Sequence, residues 1–201
     1  MTTITSKQVT AVILAGGMGR RMGGQDKGQV MLNDQPLIEY VIEAIRPQVA
    51  AILINANRHH DFYARYGYPV LSDQLQDYQG PLAGFSAGMH AATTSHIVTV
   101  PCDGPLLAPD LVERLIAALQ NNNAELAVAH DGHRLQPVYA LIPVSLLTSL
   151  DAFLASGERK IDRWYAQHAM ARADFSNAVQ TFLNVNTPED RQRLEAEGIS
   201  V

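Results

Sequence analysis

Thirteen residues at positions 16–28, GGMGRRMGGQDKG, hold six glycines, three cations and one aspartate, directly after the apolar run VTAVILA. Glycine lets a backbone take positive φ and lets its N–H groups approach an anion with no Cβ in the way. Gly16, Gly17 and Gly19, with Arg20, Arg21 and Lys27, therefore compose a loop suited to a polyphosphate. Arginine offers bidentate contacts there and lysine a point charge. The location fits as well, since α/β sheets bind ligands beyond the carboxyl ends of their strands. The plainer reading is a surface loop whose glycines only make turns. Two familiar phosphate motifs fail: the dinucleotide pattern needs a glycine where Met22 stands, and the NTPase pattern is broken by Asp26 before Lys27 and Gly28 after it.

Other polar residues close apolar runs. Asn55 ends AAILIN, Asp73 ends PVLSD, Asp103 follows HIVTVPC, and Asn184 and Asn186 flank Val185 in FLNVN. In a parallel sheet such ends converge on one edge, so residues distant in sequence meet one ligand. Singly, each is also the residue type that closes a turn through its own side chain. Asp103 stands apart, because VPCDGPLL carries a carboxylate from an apolar strand into a Gly-Pro turn. A carboxylate beside a phosphate loop is what magnesium-nucleotide binding requires. Gly80 and Pro81 open a helix whose free N–H groups can face an anion or a base. Gly84 and Gly88, one turn apart, signal either close packing on a strand or close approach to a nucleotide. Cys102 reads as a buried small apolar residue, not a nucleophile. His59, His60, His130 and His133 lack zinc-site spacing and read as solvated surface.

The elements that must position these residues follow from periodicity. Short apolar runs alternate with helical patterns: residues 36–45 put Leu37, Ile38, Val41, Ile42 and Ile45 on one face, and residues 108–120 do likewise with Leu111, Leu115, Ile116 and Leu119. That alternation predicts an α/β fold, a doubly wound, mostly parallel sheet with helices on both faces. In LAVAHDGHRLQPVYAL, Asp131-Gly132 resembles a hairpin turn, which makes the sheet mixed. Residues 144–155 and 161–169 read as helices, FLNVN as the last strand, and TPEDRQRLEAE as a final helix with Thr187 as N-cap and Pro188 in its first position. With no repeat or linker, residues 1–201 are expected to form one domain. A formal charge of −5 provides no global basic surface for nucleic acid or an anionic membrane. The single cysteine, the polar start MTTITSKQ and the lack of an 18-residue apolar run lead to the expectation of a cytoplasmic protein.

LAGGMGRRM resembles the signature L-A-x-G-x-G-x-R-M of the sugar-phosphate and pterin nucleotidyltransferases, which carry a lysine soon after. Joined in order by NANR, SD, GPLAG, PCDGPLL, DGHRLQPVYAL and FLNVNTPED, it resembles the molybdenum cofactor guanylyltransferases over nearly the whole chain. LAGG, DGxRxQP and NVNTPED favour the guanylyl branch over its cytidylyl sister. The resemblance implies a Rossmann-like nucleotidyltransferase fold and magnesium-dependent transfer of GMP from GTP to the terminal phosphate of molybdopterin, with release of pyrophosphate. It implies GTP binding by Leu14, Ala15, Gly16, Gly17, Lys27, Asn55, Asp73 and Asp103, with Asp103 also holding magnesium. Lys27, Arg21 and Asp103 are the catalytic candidates, and Arg134, Gln136, Asn184 and Asn186 the candidates for the acceptor. Asp73 also suits base selection, because a carboxylate accepts the two adjacent donors that guanine has and cytosine lacks. Transient contact with molybdenum cofactor delivery proteins and target apo-enzymes is implied as well. Two readings compete: a CTP-dependent cytidylyltransferase acting on molybdopterin or a sugar-alcohol phosphate, and a nucleotide-binding regulatory module without catalysis. A dinucleotide-dependent oxidoreductase is disfavoured by the missing third glycine.

Overall fold

The computed structural model describes residues 3–15, 26–73 and 80–196. In chain order they form β1 (Val9–Leu14), a two-stranded ribbon of β2 (Met31–Leu32) and β3 (Gln35–Pro36), α1 (Leu37–Ile45), β4 (Ala51–Asn55), α2 (His60–Ala64) and β5 (Val70–Leu71). Next come α3 (Pro81–Ala91), β6 (His96–Pro101), α4 (Leu111–Asn121), β7 (Leu126–His130) and β8 (Leu135–Pro143). The chain continues through α5 (Leu147–Ala155), α6 (Ile161–Tyr165), β9 (Met170–Asp174) and α7 (Pro188–Ala196).

Seven of these strands form one sheet in the order β5-β4-β1-β6-β8-β7-β9. Only β8 runs antiparallel to its neighbours, so the sheet is mixed and mostly parallel, as the patterning predicts. In β1 both alternating sets are buried, which is why the run reads as continuously apolar. Val9, Ala11 and Ile13 join one core with Val41 and Ile45 of α1 and Leu111 and Leu115 of α4. Val12 faces the other way, into a core with Phe85 of α3, Leu150 of α5 and Trp164 of α6. Helices thus cover both faces, and burial of each such aliphatic or aromatic side chain contributes about 1.5–3 kcal/mol. Among the described residues no helix is long and apolar enough to cross a membrane.

A third, smaller core joins segments distant in sequence. Val30, Leu32, Leu37 and Tyr40 pack with Val185 and Leu194. It ties the ribbon and the start of α1 to the segment that leads into α7. Tyr40 donates its hydroxyl to the Leu32 carbonyl at 2.7 Å.

Two expectations are corrected. FLNVN is not a strand: Phe182 ends a 3-10 turn and residues 183–186 pair with no ladder, held instead by Val185 N–H donating to the Asp103 carbonyl at 2.9 Å. A single buried valine between two asparagines carries no period-2 signal longer than three residues. The helix expected over 161–169 stops at Tyr165, and the last strand is β9, parallel to β7. Its inward positions are Ala171 and Ala173, small enough to lie in the core shared with α4 yet too weakly hydrophobic to mark a strand. The hairpin stands as expected. Asp131 Oδ1 accepts both His133 N–H and Arg134 N–H at 2.8 Å, and Gly132 takes φ of 96°.

Candidate active site

β1 is flanked by β4 and β6, with Leu14 in register with Asn55 on one side and Pro101 on the other. Everything just past these three positions lies on one edge of the sheet, at the carboxyl ends of parallel strands. Asn55 and the turn bearing Asp103 are two strand spacings apart, about 10 Å. The glycine-rich segment leaves between them, after Ala15, whose N–H donates to the Asn55 carbonyl at 2.8 Å.

On the β6 side three distant stretches meet. Lys27 Nζ donates to Asp103 Oδ2 at 2.6 Å and to Asn186 Oδ1 at 2.6 Å. Asp103 is 4% exposed, so its charge is withdrawn from water and compensated by this ammonium. Asn184 Oδ1 accepts the Tyr139 hydroxyl at 3.2 Å, and a Cβ at Gly104 would sit 2.7 Å from that hydroxyl. Any residue larger than glycine at 104 would push this group apart. Burial drives the Tyr139 hydroxyl well above its ordinary pKa, so Tyr139 stays protonated and donates. Burial also raises the Cys102 thiol, with Asp103 adding to the shift; Cys102 is a neutral core residue and not a thiolate nucleophile.

Lys27 itself is aimed by a buried cluster that the sequence did not announce. Asp26 precedes a 3-10 turn over Lys27–Gln29 and caps it by accepting Gly28 N–H at 3.3 Å. The same oxygen accepts the hydroxyl of Tyr63 in α2, and Arg58 lies 3.7 Å from the other oxygen. Asn186 is fixed from its other side. Thr187 Oγ1 accepts Asp190 N–H at 3.1 Å, while the Asp190 carboxylate accepts Thr187 N–H at 3.0 Å. This reciprocal cap starts α7 where Thr187 and Pro188 predict it.

On the β4 side, Asp73 receives two amides. Asn55 Nδ2 donates to Asp73 Oδ1 at 2.9 Å and Asn57 Nδ2 to Asp73 Oδ2 at 2.7 Å. This edge therefore carries hard oxygen donors, one half-buried cation and a carboxylate-amide platform, which are groups suited to a nucleotide. The sequence comparison points the same way: the profile of the family described as MobA-like NTP transferase domain matches residues 11–200. The chain belongs to this family.

Among its relatives, a protein of Shewanella loihica named molybdenum cofactor guanylyltransferase is 56% identical over 94% of this chain and 96% of its own length. The fold of this MobA-like chain is shared with a molybdopterin-guanine dinucleotide biosynthesis protein A of Archaeoglobus fulgidus, with a TM-score of 0.79 at 24% identity over 94% of this chain and 98% of that one. A 4-diphosphocytidyl-2C-methyl-D-erythritolsynthase of Anaerococcus prevotii also shares it, with a TM-score of 0.74 at 11% identity over 96% of each chain. The fold alone therefore does not distinguish one transferred base from another.

Of the site residues expected from sequence, the MobA-like domain brings Leu14, Ala15, Lys27, Asn55, Asp73, Asp103, Asn184 and Asn186 to one edge. Gly16, Gly17 and Arg21, with Gly19 and Arg20, lie outside the described residues. Arg134 and Gln136 are at the hairpin, and both are engaged with Asp131: Gln136 Nε2 donates to Asp131 Oδ2 at 2.7 Å and Arg134 pairs with it at 3.7 Å while remaining 80% exposed. The backbone N–H groups of Arg134 and His133 draw the Asp131 carboxyl down to about 2. Asp26, Asn57, Tyr63 and Tyr139 are additions from the structure; Asp26, Asn57 and Tyr139 fall within the stretches GGMGRRMGGQDKG, NANR and DGHRLQPVYAL, whereas Tyr63 carries no sequence signal.

The two readings of Gly84 and Gly88 resolve toward packing, with a consequence for the site. A Cβ at Gly88 would lie 2.5 Å from Val12 Cγ2, and one at Gly84 would lie 2.4 Å from Asn55 Oδ1 and 2.7 Å from Leu14 Cδ2. Alanine in a helix is favoured over glycine by about 1 kcal/mol, whereas overpacking costs about 1–3 kcal/mol. Gly84→Ala is therefore expected to lower stability by about 1 kcal/mol and to displace the Asn55 amide. Urea unfolding checks the sign; a stabilised variant would mean that α3 slides freely over β1.

Proposed function

We propose that residues 1–201 form one nucleotidyltransferase domain that transfers GMP from GTP to the terminal phosphate of molybdopterin, forming the guanine dinucleotide and releasing pyrophosphate. The observation that carries the chemistry is the meeting of Lys27, Asp103 and Asn186 at the strand edge from which the glycine-rich segment departs. The name of the relatives at 56% identity supports guanine as the base and molybdopterin as the acceptor. Delivery proteins and apo-enzymes that receive the product belong to the same reading.

In that reaction an acceptor phosphate oxygen attacks the α-phosphorus, the bond to the β-phosphate oxygen breaks, and pyrophosphate departs with the bonding electrons. No protein nucleophile is needed, and the attacking phosphate is already ionised near neutrality, so no general base is needed either. The work left for the protein is positioning and charge neutralisation. Lys27 would move its ammonium from Asp103 onto the phosphates, and Arg21 would add a bidentate contact. Asn184 and Asn186, on the capped segment ahead of α7, would orient the acceptor, with Arg134 and Gln136 of the hairpin beyond them. A buried carboxylate with amide oxygens nearby is a hard-oxygen donor set of the kind that magnesium takes alongside substrate phosphates. Magnesium held by Asp103 would supply neutralising charge across the triphosphate.

Calorimetric titration with GTP, CTP, ATP and UTP in magnesium tests the reading. Binding of GTP at least tenfold tighter than the others is expected, about 1.4 kcal/mol or more. Preference for CTP would move the assignment to a cytidylyltransferase. Tight GTP binding with no pyrophosphate released in the presence of molybdopterin would leave a regulatory module.

A further inference from the structure

Asp73 sits beyond the end of the shortest and outermost strand on its side of the sheet. β5 contributes only Val70 and Leu71, and its ladder to β4 ends with the Ala56 N–H donating to the Leu71 carbonyl at 2.8 Å. The ladder therefore does not fix Asp73. Asn57 does: its Oδ1 accepts the Asp73 backbone N–H at 2.8 Å while its Nδ2 donates to Asp73 Oδ2 at 2.7 Å. One amide thus holds both the main chain and the carboxylate of the same residue. Asn55, buried against Gly84, takes the other carboxylate oxygen at 2.9 Å. Ala56 between them is fully buried, in the core that also holds Ile13 and Ile54. Each carboxylate oxygen has two lone pairs, and the described residues use one on each, leaving the other for a ligand.

A carboxylate immobilised at both oxygens, half-buried, and keeping one lone pair on each is a receptor for two parallel donors, as in carboxylate pairing with a guanidinium fork. Guanine presents such a pair, its ring N–H and its 2-amino group; cytosine and hypoxanthine do not. We propose that Asn57 is a positioning residue for base selection, locking the Asp73 carboxylate in the orientation that accepts both guanine donors. The proposal rests on the guanylyl reading above. A clamp that serves only to close the turn after β4 would affect all nucleotides alike.

Hypoxanthine separates the two roles, because inosine triphosphate keeps the triphosphate, the ribose and the ring N–H but lacks the 2-amino donor. The full chain, Asn57→Ala and Asp73→Asn are titrated with GTP, ITP and CTP in magnesium. The unaltered chain is expected to prefer GTP over ITP by about tenfold, the worth of one charge-assisted hydrogen bond. Asn57→Ala is expected to lose most of that ratio, chiefly through weaker GTP binding, while turnover at saturating GTP changes less than the Michaelis constant. Asn57→Asp keeps the acceptor for the Asp73 N–H but sets a like charge against the carboxylate; it is expected to lose the ratio with the turn intact, which covers the case of Asn57→Ala not folding. A GTP/ITP ratio unchanged in both Asn57 variants, or equal weakening of GTP and ITP, would overturn the proposal. A ratio retained in Asp73→Asn would overturn it too, by removing Asp73 from base reading. If the unaltered chain does not prefer GTP over CTP, the guanylyl reading itself fails and the proposal falls with it.

Discussion

Asp103→Ala is expected to give a folded protein whose turnover is lower by about 10³-fold, the scale of removing one preorganised charged group from a transfer site. The structure says why folding survives. Lys27 is 26% exposed along its side chain, so without Asp103 its ammonium turns to water and keeps Asn186 Oδ1 as an acceptor. The contact that ties this turn to the α7 segment is made by the Asp103 backbone carbonyl to Val185 N–H, which alanine preserves. A partly exposed ion pair contributes about 0–1 kcal/mol, so the melting temperature is expected to move by no more than about 4 °C. Pyrophosphate release and differential scanning calorimetry on the same preparation check both halves. A folded variant with retained magnesium-dependent turnover would show that the carboxylate is structural.

What the sequence disclosed and what it hid differ by the length of chain over which the cause acts. β1, β4 and β6 were legible because burial on both faces writes continuous apolar runs, and α1 and α4 because their apolar stripe repeats every 3.6 residues. Once those strands are parallel, their ends must converge, which is why Asn55, Asp73 and Asp103 could be placed near one another without coordinates. Asn184 and Asn186 lie at this edge for another reason than the one expected. No strand carries them there; buried Val185 and the Thr187–Asp190 cap do.

The residues that escaped notice act through partners far away in sequence. Tyr63 reaches back 37 positions to Asp26, and Asn57 reaches forward 16 to Asp73. Neither leaves a periodic trace, and tyrosine or asparagine in a turn has many duller explanations. β9 was missed because its buried face consists of alanines that fit beneath α4. At the hairpin, the acceptor candidates Gln136 and Arg134 both engage Asp131 through their side chains, a local pairing that no periodic pattern signals.

Lys27→Ala removes the other half of the central pair, and the two halves are not equivalent. Here the residue left behind is Asp103, 4% exposed, in a turn whose neighbours Cys102 and Tyr139 are buried and neutral. Unlike Lys27, this carboxylate has no flexible stem with which to reach water. Leaving a buried polar group unsatisfied costs about 1–3 kcal/mol, so at about 2–4 °C per kcal/mol the melting temperature is expected to fall by roughly 2–12 °C, more than for Asp103→Ala. Turnover is expected to fall about 10²-fold with a raised Michaelis constant for GTP, since the ammonium both binds the triphosphate and offsets its charge. Magnesium separates the roles further. In Lys27→Ala the carboxylate is released to a divalent cation, so added magnesium is expected to recover part of the lost melting temperature by binding the folded state. In Asp103→Ala it is expected to recover none. Equal melting temperatures in the two variants, with no magnesium response in either, would mean that Asp103 is already compensated without Lys27, and the case for Asp103 as the cation's ligand would be lost.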